Sequence, residues 1–442
     1  MGGGPNEGIT ELGLDEALEI AARAHDAGDV AVAEALYERV VAAAPDDPRA
    51  LHLYGILLHQ TRRHREAIGL IRRAIALAPD DPAPHNNLGN VLFELDRPDL
   101  AVQAYRTAVE LAPEHGEARN NLGVALRALD RPAEAEAAYR AAIALDSRHR
   151  DAWDNLGRLL AARGRVTEAI ACHARALELE PRHAGTRRHL VAAYAATGET
   201  DRALGLLRDW VRAEPDSPAA RHLLAAVSGQ DVPDRASDRY VASLFDAFAA
   251  SFDHKLARLD YRVPGLMAEA VAAAYPVPCG DLNILDAGCG TGLCGPALRP
   301  YALSLAGIDL SGRMLEKAAQ RACYDRLDQG ELTAHLAALR QACDLVICAD
   351  TLCYFGDLAP AFAAAHGALR PGGRLIFSTE ESPGEGFTLH AHGRYSHARA
   401  FVERGLAGAG LRIEALRHET LRQERGEPVR GIIVTARRPP DP

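Results

Sequence analysis

Lysine is almost missing from this chain. Of 50 basic residues only Lys255 and Lys317 are lysines, and with the abundant alanine this reads as the imprint of a GC-rich coding sequence rather than as a functional signal. A basic excess is missing too: the net charge is −10, and neither half of the chain carries the positive field of a general nucleic-acid binder. No apolar run is long enough to cross a bilayer, and no charged segment followed by an apolar one opens the sequence. A soluble cytoplasmic protein with no membrane or nucleic-acid partner is expected. CxxC pairs are absent: the eight cysteines are Cys172, Cys279, Cys289, Cys294, Cys323, Cys343, Cys348 and Cys353. That spacing favours reduced structural thiols, and no metal site is expected.

At 442 residues, 48% hydrophobic and 25% charged, the chain has globular composition and is too long for one ordinary core. Residues 14–217 repeat with a period of 34. A small residue recurs at Ala21, Gly55, Gly89, Gly123 and Gly157, and a second at Ala33, Ala67, Ala101, Ala135, Ala169 and Ala203. A large residue follows the second at Tyr37, Ile71, Tyr105, Tyr139 and Leu207, with His173 the exception, and proline closes most periods. These are the small, large and helix-stopping positions of tetratricopeptide (TPR) helix pairs, which six copies resemble. A superhelix with a concave groove lined by the first helix of each pair is implied. Trp210, in the last copy, reads as a packing residue.

Three copies read HNNLG, RNNLG and WDNLG, placing Asn87, Asn121 and Asn155 at one offset. Asparagine is a poor helix former, so three in register require a reason. Side-chain amides match the donor and acceptor of an extended peptide backbone, and the pattern resembles the asparagine ladder of the O-linked N-acetylglucosamine transferases, which grips peptide. A protein or peptide partner in the groove is expected. The alternative is that these amides bond neighbouring helices and fasten the repeats.

Residues 218–280 lose the period and read as bridging helices, with Phe245, Phe248 and Phe252 on helical spacing. Next comes ILDAGCGTG, Ile284 to Gly292, then GIDLS, Gly307 to Ser311. An apolar strand ends near Asp286 and gives way to Gly288, Gly290 and Gly292, where backbone can approach a ligand without a Cβ. A second strand delivers Asp309, where a nucleotide-binding βαβ unit puts the carboxylate that takes ribose hydroxyls. The glycine spacing is not that of a pyrophosphate loop, and Asp286 would repel a pyrophosphate but suits a cation.

The arrangement resembles motif I of class I S-adenosyl-L-methionine (SAM) dependent methyltransferases. The resemblance implies that Asp286, Gly288, Cys289 and Gly290 cradle SAM, that Asp309 binds its ribose, and that Leu310, Ser311 and Met314 flank the adenosine. Glu331 falls where such proteins have an acid for the adenine amino group, and Asp350 at the end of the fourth strand. Tyr261 and Arg262 are candidates for the cofactor's carboxylate. Strands are expected at 283–287, 304–310, near Leu332, and at 344–349, 374–378, 411–416 and 431–436, the last antiparallel. The fold class is therefore an α-helical TPR solenoid followed by a seven-stranded Rossmann-like α/β domain, divided as a flexible tail 1–13, repeats 14–217, bridging and lid helices 218–280, and the methyltransferase domain 281–442. The whole chain resembles a bacterial group of methyltransferases bearing TPR repeats.

Methyl transfer requires alignment and, for a nitrogen or oxygen nucleophile, removal of a proton. No NPPY motif follows the fourth strand, which disfavours nucleic-acid bases. HAHGRYSH, His390 to His397, offers His397 and then Tyr395 as candidate catalytic groups and Arg394 as a clamp for a substrate carboxylate; a polar lid with surface histidines is the plain alternative. Three functions remain open: a methyltransferase for a protein or peptide held by the repeats, a small-molecule methyltransferase whose repeats serve assembly, and a SAM-binding adaptor without turnover.

Overall fold

The computed structural model describes residues 13–249, 252–257, 259–424 and 426–440, without the side chains of 254, 255 and 257. The expected tail, but for residue 13, lies outside the described residues. The chain divides into two compact units, Met1–Thr186 and Arg187–Pro442. That boundary falls within the sixth repeat, whose Trp210 is buried in the second unit, its indole N–H donating to Glu214 at 3.0 Å.

Unit 1 is built of helix pairs: α1 (Leu14–Asp26) with α2 (Val30–Ala43), α3 (Pro48–Gln60) with α4 (His64–Leu77), α5 (Pro82–Glu94) with α6 (Pro98–Leu111), α7 (Gly116–Ala128) with α8 (Pro132–Leu145), and α9 (Arg150–Ala162) with α10 (Val166–Leu179). Proline at the first turn and Asp47 or Asp81 as N-cap start α3 and α5, the carboxylates accepting from amides two or three residues on. The small positions exist because a large side chain of the same pair fills their space. A Cβ on Gly89 would lie 2.4 Å from the ring of Tyr105, and one on Gly123 2.6 Å from that of Tyr139. His173 plays the same part opposite Gly157, buried with a ring nitrogen 2.9 Å from Asp154. First helices of successive pairs approach each other more closely than second helices do, so the first helices line the inside of the curve.

The boundary falls in the first turn of α11 (Ala184–Ala196), and unit 2 continues with α12 (Thr200–Ala213), α13 (Pro218–Ser228), α14 (Asp238–Phe248), α15 (Phe252–Ala257) and α16 (Val263–Ala274). Then strands and helices alternate: β1 (Leu282–Ala287), α17 (Gly295–Leu298), β2 (Ala302–Asp309), α18 (Gly312–Gln320), β3 (Arg326–Gln329), α19 (Leu332–Ala338), β4 (Cys343–Cys348), α20 (Ala359–Ala368), β5 (Leu369–Glu381), β6 (Phe387–Leu389), β7 (Tyr395–His397), α21 (Arg399–Gly408), β8 (Arg412–Glu424) and β9 (Glu427–Arg437). The sheet runs β3-β2-β1-β4-β5, parallel throughout, with β9 antiparallel on β5 and β8 on β9. Neighbouring residues in each strand feed opposite cores: Ile284 packs with α16 and Leu305, Leu285 with the layer of α19, α20 and α21.

The seven expected strands are present, with two corrections and one addition. The third is Arg326–Gln329 and not a strand at Leu332, which begins α19; a four-residue edge strand reading RLDQ, with a single apolar residue, carries little apolar signal. The last hairpin runs far past 411–416, because β8 and β9 satisfy each other's backbone through a stretch that reads as a polar loop. The loop after β5 holds a short hairpin, β6–β7, whose second strand pairs parallel with the end of β5.

Candidate functional site

A cleft with about 1210 Å³ of empty space, open solvent at its mouth included, lies at the carboxyl ends of β1, β2 and β4, the end of a parallel sheet where ligands sit. After β1 the chain turns in left-handed conformations, with φ of 80° at Gly288 and 54° at Gly290. The two positions differ in what they need. A Cβ on Gly288 would lie 2.3 Å from the Thr351 hydroxyl, whereas one on Gly290 would meet nothing and project into open space. Gly290 thus offers bare backbone to a ligand. Gly288 and Cys289 donate their N–H to Ile308 O at 2.8 and 3.0 Å, tying the turn to β2.

Asp309 closes this turn from β2: one carboxylate oxygen accepts from Gly290 N at 2.9 Å and the other from Ser311 N at 2.8 Å. Burial raises its pKa against those bonds. Asp286 is more confined. It is 1% exposed; Oδ2 accepts from the Tyr324 hydroxyl at 2.6 Å, and Oδ1 has no partner among the described residues. Burial pushes this carboxyl up to about 7. A buried carboxylate oxygen without a donor, in the wall of a cavity, is a place for a cationic donor.

Of the residues expected to hold the cofactor, Asp286, Gly288, Cys289, Gly290, Asp309, Leu310, Glu331, Asp350 and Tyr261 all line the cavity. Glu331 also caps α19, accepting from Thr333 N and Ala334 N at 2.9 and 2.7 Å. Met314 is buried and outside the lining, its amide bonded to Ser311 Oγ at 3.2 Å, so it supports the first turn of α18. Arg262 also points elsewhere, donating to Thr420 O at 3.2 Å.

The nominated catalytic pair is not at the cavity, and this corrects the sequence reading. His397 is fully buried, with Nε2 2.7 Å from Phe355 O and Nδ1 2.6 Å from the Thr379 hydroxyl. Since a carbonyl only accepts, the network assigns the proton to Nε2 and leaves Nδ1 accepting from Thr379; burial pushes the ring down to about 4. Tyr395 is equally buried and donates to Pro233 O at 2.8 Å. Both secure the β6–β7 hairpin against the segment before α14 and the turn after β4. Arg394, in the hairpin turn, does line the cavity.

Several lining residues carried no sequence signal. Arg422, from β8, is 1% exposed; its Nε donates to Glu424 at 2.7 Å, Nη2 donates to Glu380, and Nη1 stands 3.4 Å from both carboxylate oxygens of Asp350. Arg394 pairs with Glu424 and, through Nε at 3.1 Å, with Glu380. These five groups come from the turn after β4, from β5, the hairpin turn and β8, and Arg422 meets Asp350 from 72 residues away. Over the cavity, α14 and α15 contribute Phe245, Phe252 and Leu256. Two acids fasten them: Asp246 accepts from the Ser311 hydroxyl at 2.5 Å, and Asp253 from the Thr291 hydroxyl at 2.5 Å.

In unit 1 the asparagines are half-buried. Asn87 Nδ2 lies 2.8 Å from His52 Nε2, Asn121 Nδ2 donates to Asn86 at 3.2 Å, and Asn155 Nδ2 to Asn120 at 3.0 Å. Each amide thus reaches the residue 35 positions earlier, in the preceding repeat.

Residues 10–259, more than half of the chain, match the family described as the cilia and flagella-associated protein 70 C-terminal domain. Over that stretch the chain belongs to this family. Residues 285–377 match a methyltransferase domain, which together with the sheet order and the glycine turn makes the sheet-bearing part of unit 2 a class I methyltransferase domain. Among curated proteins the chain is similar to human methyltransferase-like protein 27, 38% identical over 111 residues, 25% of this chain and 43% of that protein. It is also similar to the malonyl-[acyl-carrier protein] O-methyltransferase of Priestia megaterium, 31% identical over 122 residues, 27% and 43% of the two. The chain thus spans less than half the length of these relatives. Among solved structures it is similar to PilW, a widely conserved type IV pilus biogenesis factor, at 19% identity and a TM-score of 0.45, covering 48% of this chain and 98% of that one. Methyltransferase relatives imply SAM as the methyl donor. The residues present fit it: Gly290 leaves room for close approach, and the unpartnered oxygen of Asp286 suits an ammonium.

Proposed function

We propose that the protein transfers the methyl group of SAM to a protein or peptide acceptor recruited by the repeats of unit 1. The unpartnered oxygen of Asp286 in a cavity that also presents Asp309 and bare backbone at Gly290 carries the cofactor assignment. In this reading Asp286 accepts from the SAM ammonium, Asp309 from the ribose hydroxyls, Glu331 lies toward the adenine, and Tyr261 toward the carboxylate. The chain's contribution to rate is alignment of acceptor, methyl and sulfur in a cavity roofed by the apolar side chains of α14 and α15. SAM when bound supplies an activated methyl on a good leaving group. In unit 1 the ladder of Asn87, Asn121 and Asn155 is the feature suited to an extended peptide backbone.

A second reading has an observation of its own. Each of those amides is already bonded to the preceding repeat, which suits repeats used for assembly and a small-molecule acceptor. Incubating the protein with methyl-labelled SAM and a lysate, then separating macromolecules from small molecules, decides between the two. Label in the macromolecular fraction is expected; label confined to small molecules would overturn the peptide reading.

A further inference from the structure

We propose that Asp350 is the proton acceptor of the methyl-transfer step, and that the methyl acceptor is accordingly a hydroxyl or amine and not a carboxylate. The inference rests on the SAM reading above. Asp350 follows β4 in the wall of the cavity, with a left-handed backbone φ of 54°. Its N–H is held by the Ser378 hydroxyl at 2.8 Å. A non-glycine residue fixed in that region is held there by its surroundings, and such positions cluster at working sites.

The five-charge cluster around it is unevenly paired. Three carboxylates, Asp350, Glu380 and Glu424, face two guanidiniums, Arg394 and Arg422, leaving one negative charge in excess. Both arginines are engaged by Glu380 and Glu424, neither of which lines the cavity. Asp350 is left with two contacts of 3.4 Å to Arg422, longer than the 2.7–2.9 Å of a charge-assisted bond. The environments separate the acids accordingly. Burial raises the pKa of Asp350 against the pull of both arginines, whereas those arginines overcome burial at Glu424 and hold it down to about 2. Its other titratable neighbours, Tyr261, Cys353 and Tyr354, are pushed up by burial and stay neutral. One carboxylate held ionised beside another made basic is the arrangement that assigns proton-transfer roles.

The acceptor class follows from the charge. A carboxylate entering here would add a second uncompensated negative charge to a cluster in which three carboxylates already face two guanidiniums. It would also need no base. A hydroxyl or amine instead donates its hydrogen to the loosely held oxygen of Asp350. As the proton passes to Asp350, the nucleophile's lone pair forms its bond to the methyl carbon, the carbon–sulfur bond's electron pair goes to sulfur to leave S-adenosylhomocysteine, and Asp350 then returns the proton to water. Among the described residues that line the cavity there is no histidine to do this instead.

Two measurements on the full chain test this. Infrared difference spectra of the cofactor-free protein, wild type minus Asp350→Asn, should show a protonated carboxyl that titrates above the ordinary carboxylate range; titration within that range overturns the proposal. Label transferred from methyl-labelled SAM to lysate acceptors should survive alkali, as amine and ether methyl groups do, and Asp350→Asn should reduce transfer by roughly 10²-fold or more while SAM affinity stays within about twofold. Release of the label as methanol would identify methyl esters and sink the inference while leaving the methyltransferase standing. Loss of SAM affinity in Asp350→Asn equal to the loss of transfer would place the residue with the cofactor and overturn it as well. Failure of the wild type to bind SAM would bring down the underlying reading first. Where no lysate acceptor takes label, the infrared titration decides.

Discussion

Asp286 has an environment that makes its protonation state measurable. Its folded pKa of about 7 lies above its unfolded value, so the stability it contributes is complete at low pH and is lost as pH rises from the ordinary carboxylate range through about 7. Asp286→Asn should remove that dependence, so thermal melts of the cofactor-free variant should gain on the parent between pH 5.5 and 8. SAM affinity should move in the opposite sense, strengthening in the parent as Asp286 ionises and staying weak and flat in the variant. A parent whose SAM affinity does not change across pH 7 would contradict the ammonium assignment. The two glycines separate in the same way. Gly290→Val should abolish SAM binding with a modest loss of stability, whereas Gly288→Ala should cost fold stability first, because its Cβ collides with Thr351. Equal SAM affinity in Gly290→Val and wild type would remove the turn from the cofactor site. These residues were legible because a glycine turn between two strands is a local pattern. Arg422, Glu380 and Glu424 were not, since the groups they meet lie on other strands and nothing near them in sequence marks the meeting.

At the scale of elements, the β6–β7 hairpin is the place where sequence and structure part. HAHGRYSH reads as a loop whose histidines are either candidate bases for the chemistry or, in the plain alternative, surface residues of a polar lid. The structure buries His397 and Tyr395 because the end of β5 runs past β4 and leaves an edge that a short strand can pair. His397 therefore acts on stability. Its pKa, lowered by burial to about 4, means its contribution is complete above its unfolded value near 6.5 and is lost as pH falls through about 4. His397→Ala leaves buried partners unsatisfied, for which about 1–3 kcal/mol per group is expected. Denaturant unfolding should show that loss at pH 7 and a shallower decline on acidification, with SAM affinity unchanged. A variant as stable as its parent but unable to turn over would restore His397 to the chemistry. The repeat helices, by contrast, were legible in their periods, since small and large residues recur wherever one helix indents to receive the other.

At the scale of the whole molecule, the question is what the repeats of unit 1 do for the domain in unit 2. The triple variant Asn87→Ala, Asn121→Ala and Asn155→Ala should melt lower than the parent, at about 1 kcal/mol for each inter-repeat hydrogen bond removed. Well below its melting temperature it should keep SAM affinity and show a raised KM for macromolecular acceptor. An unchanged KM would make the amides fasteners of the repeats and favour a small acceptor. All of this depends on SAM occupying the cavity at the ends of β1, β2 and β4. Isothermal titration calorimetry of SAM into the full chain and into Asp309→Ala tests that most directly. One molecule of SAM per chain is predicted, weakened in the folded variant by about 1.5–3 kcal/mol, the worth of a charged hydrogen-bond partner. Absence of binding to the parent, or unchanged affinity in a folded Asp309→Ala, would contradict the account.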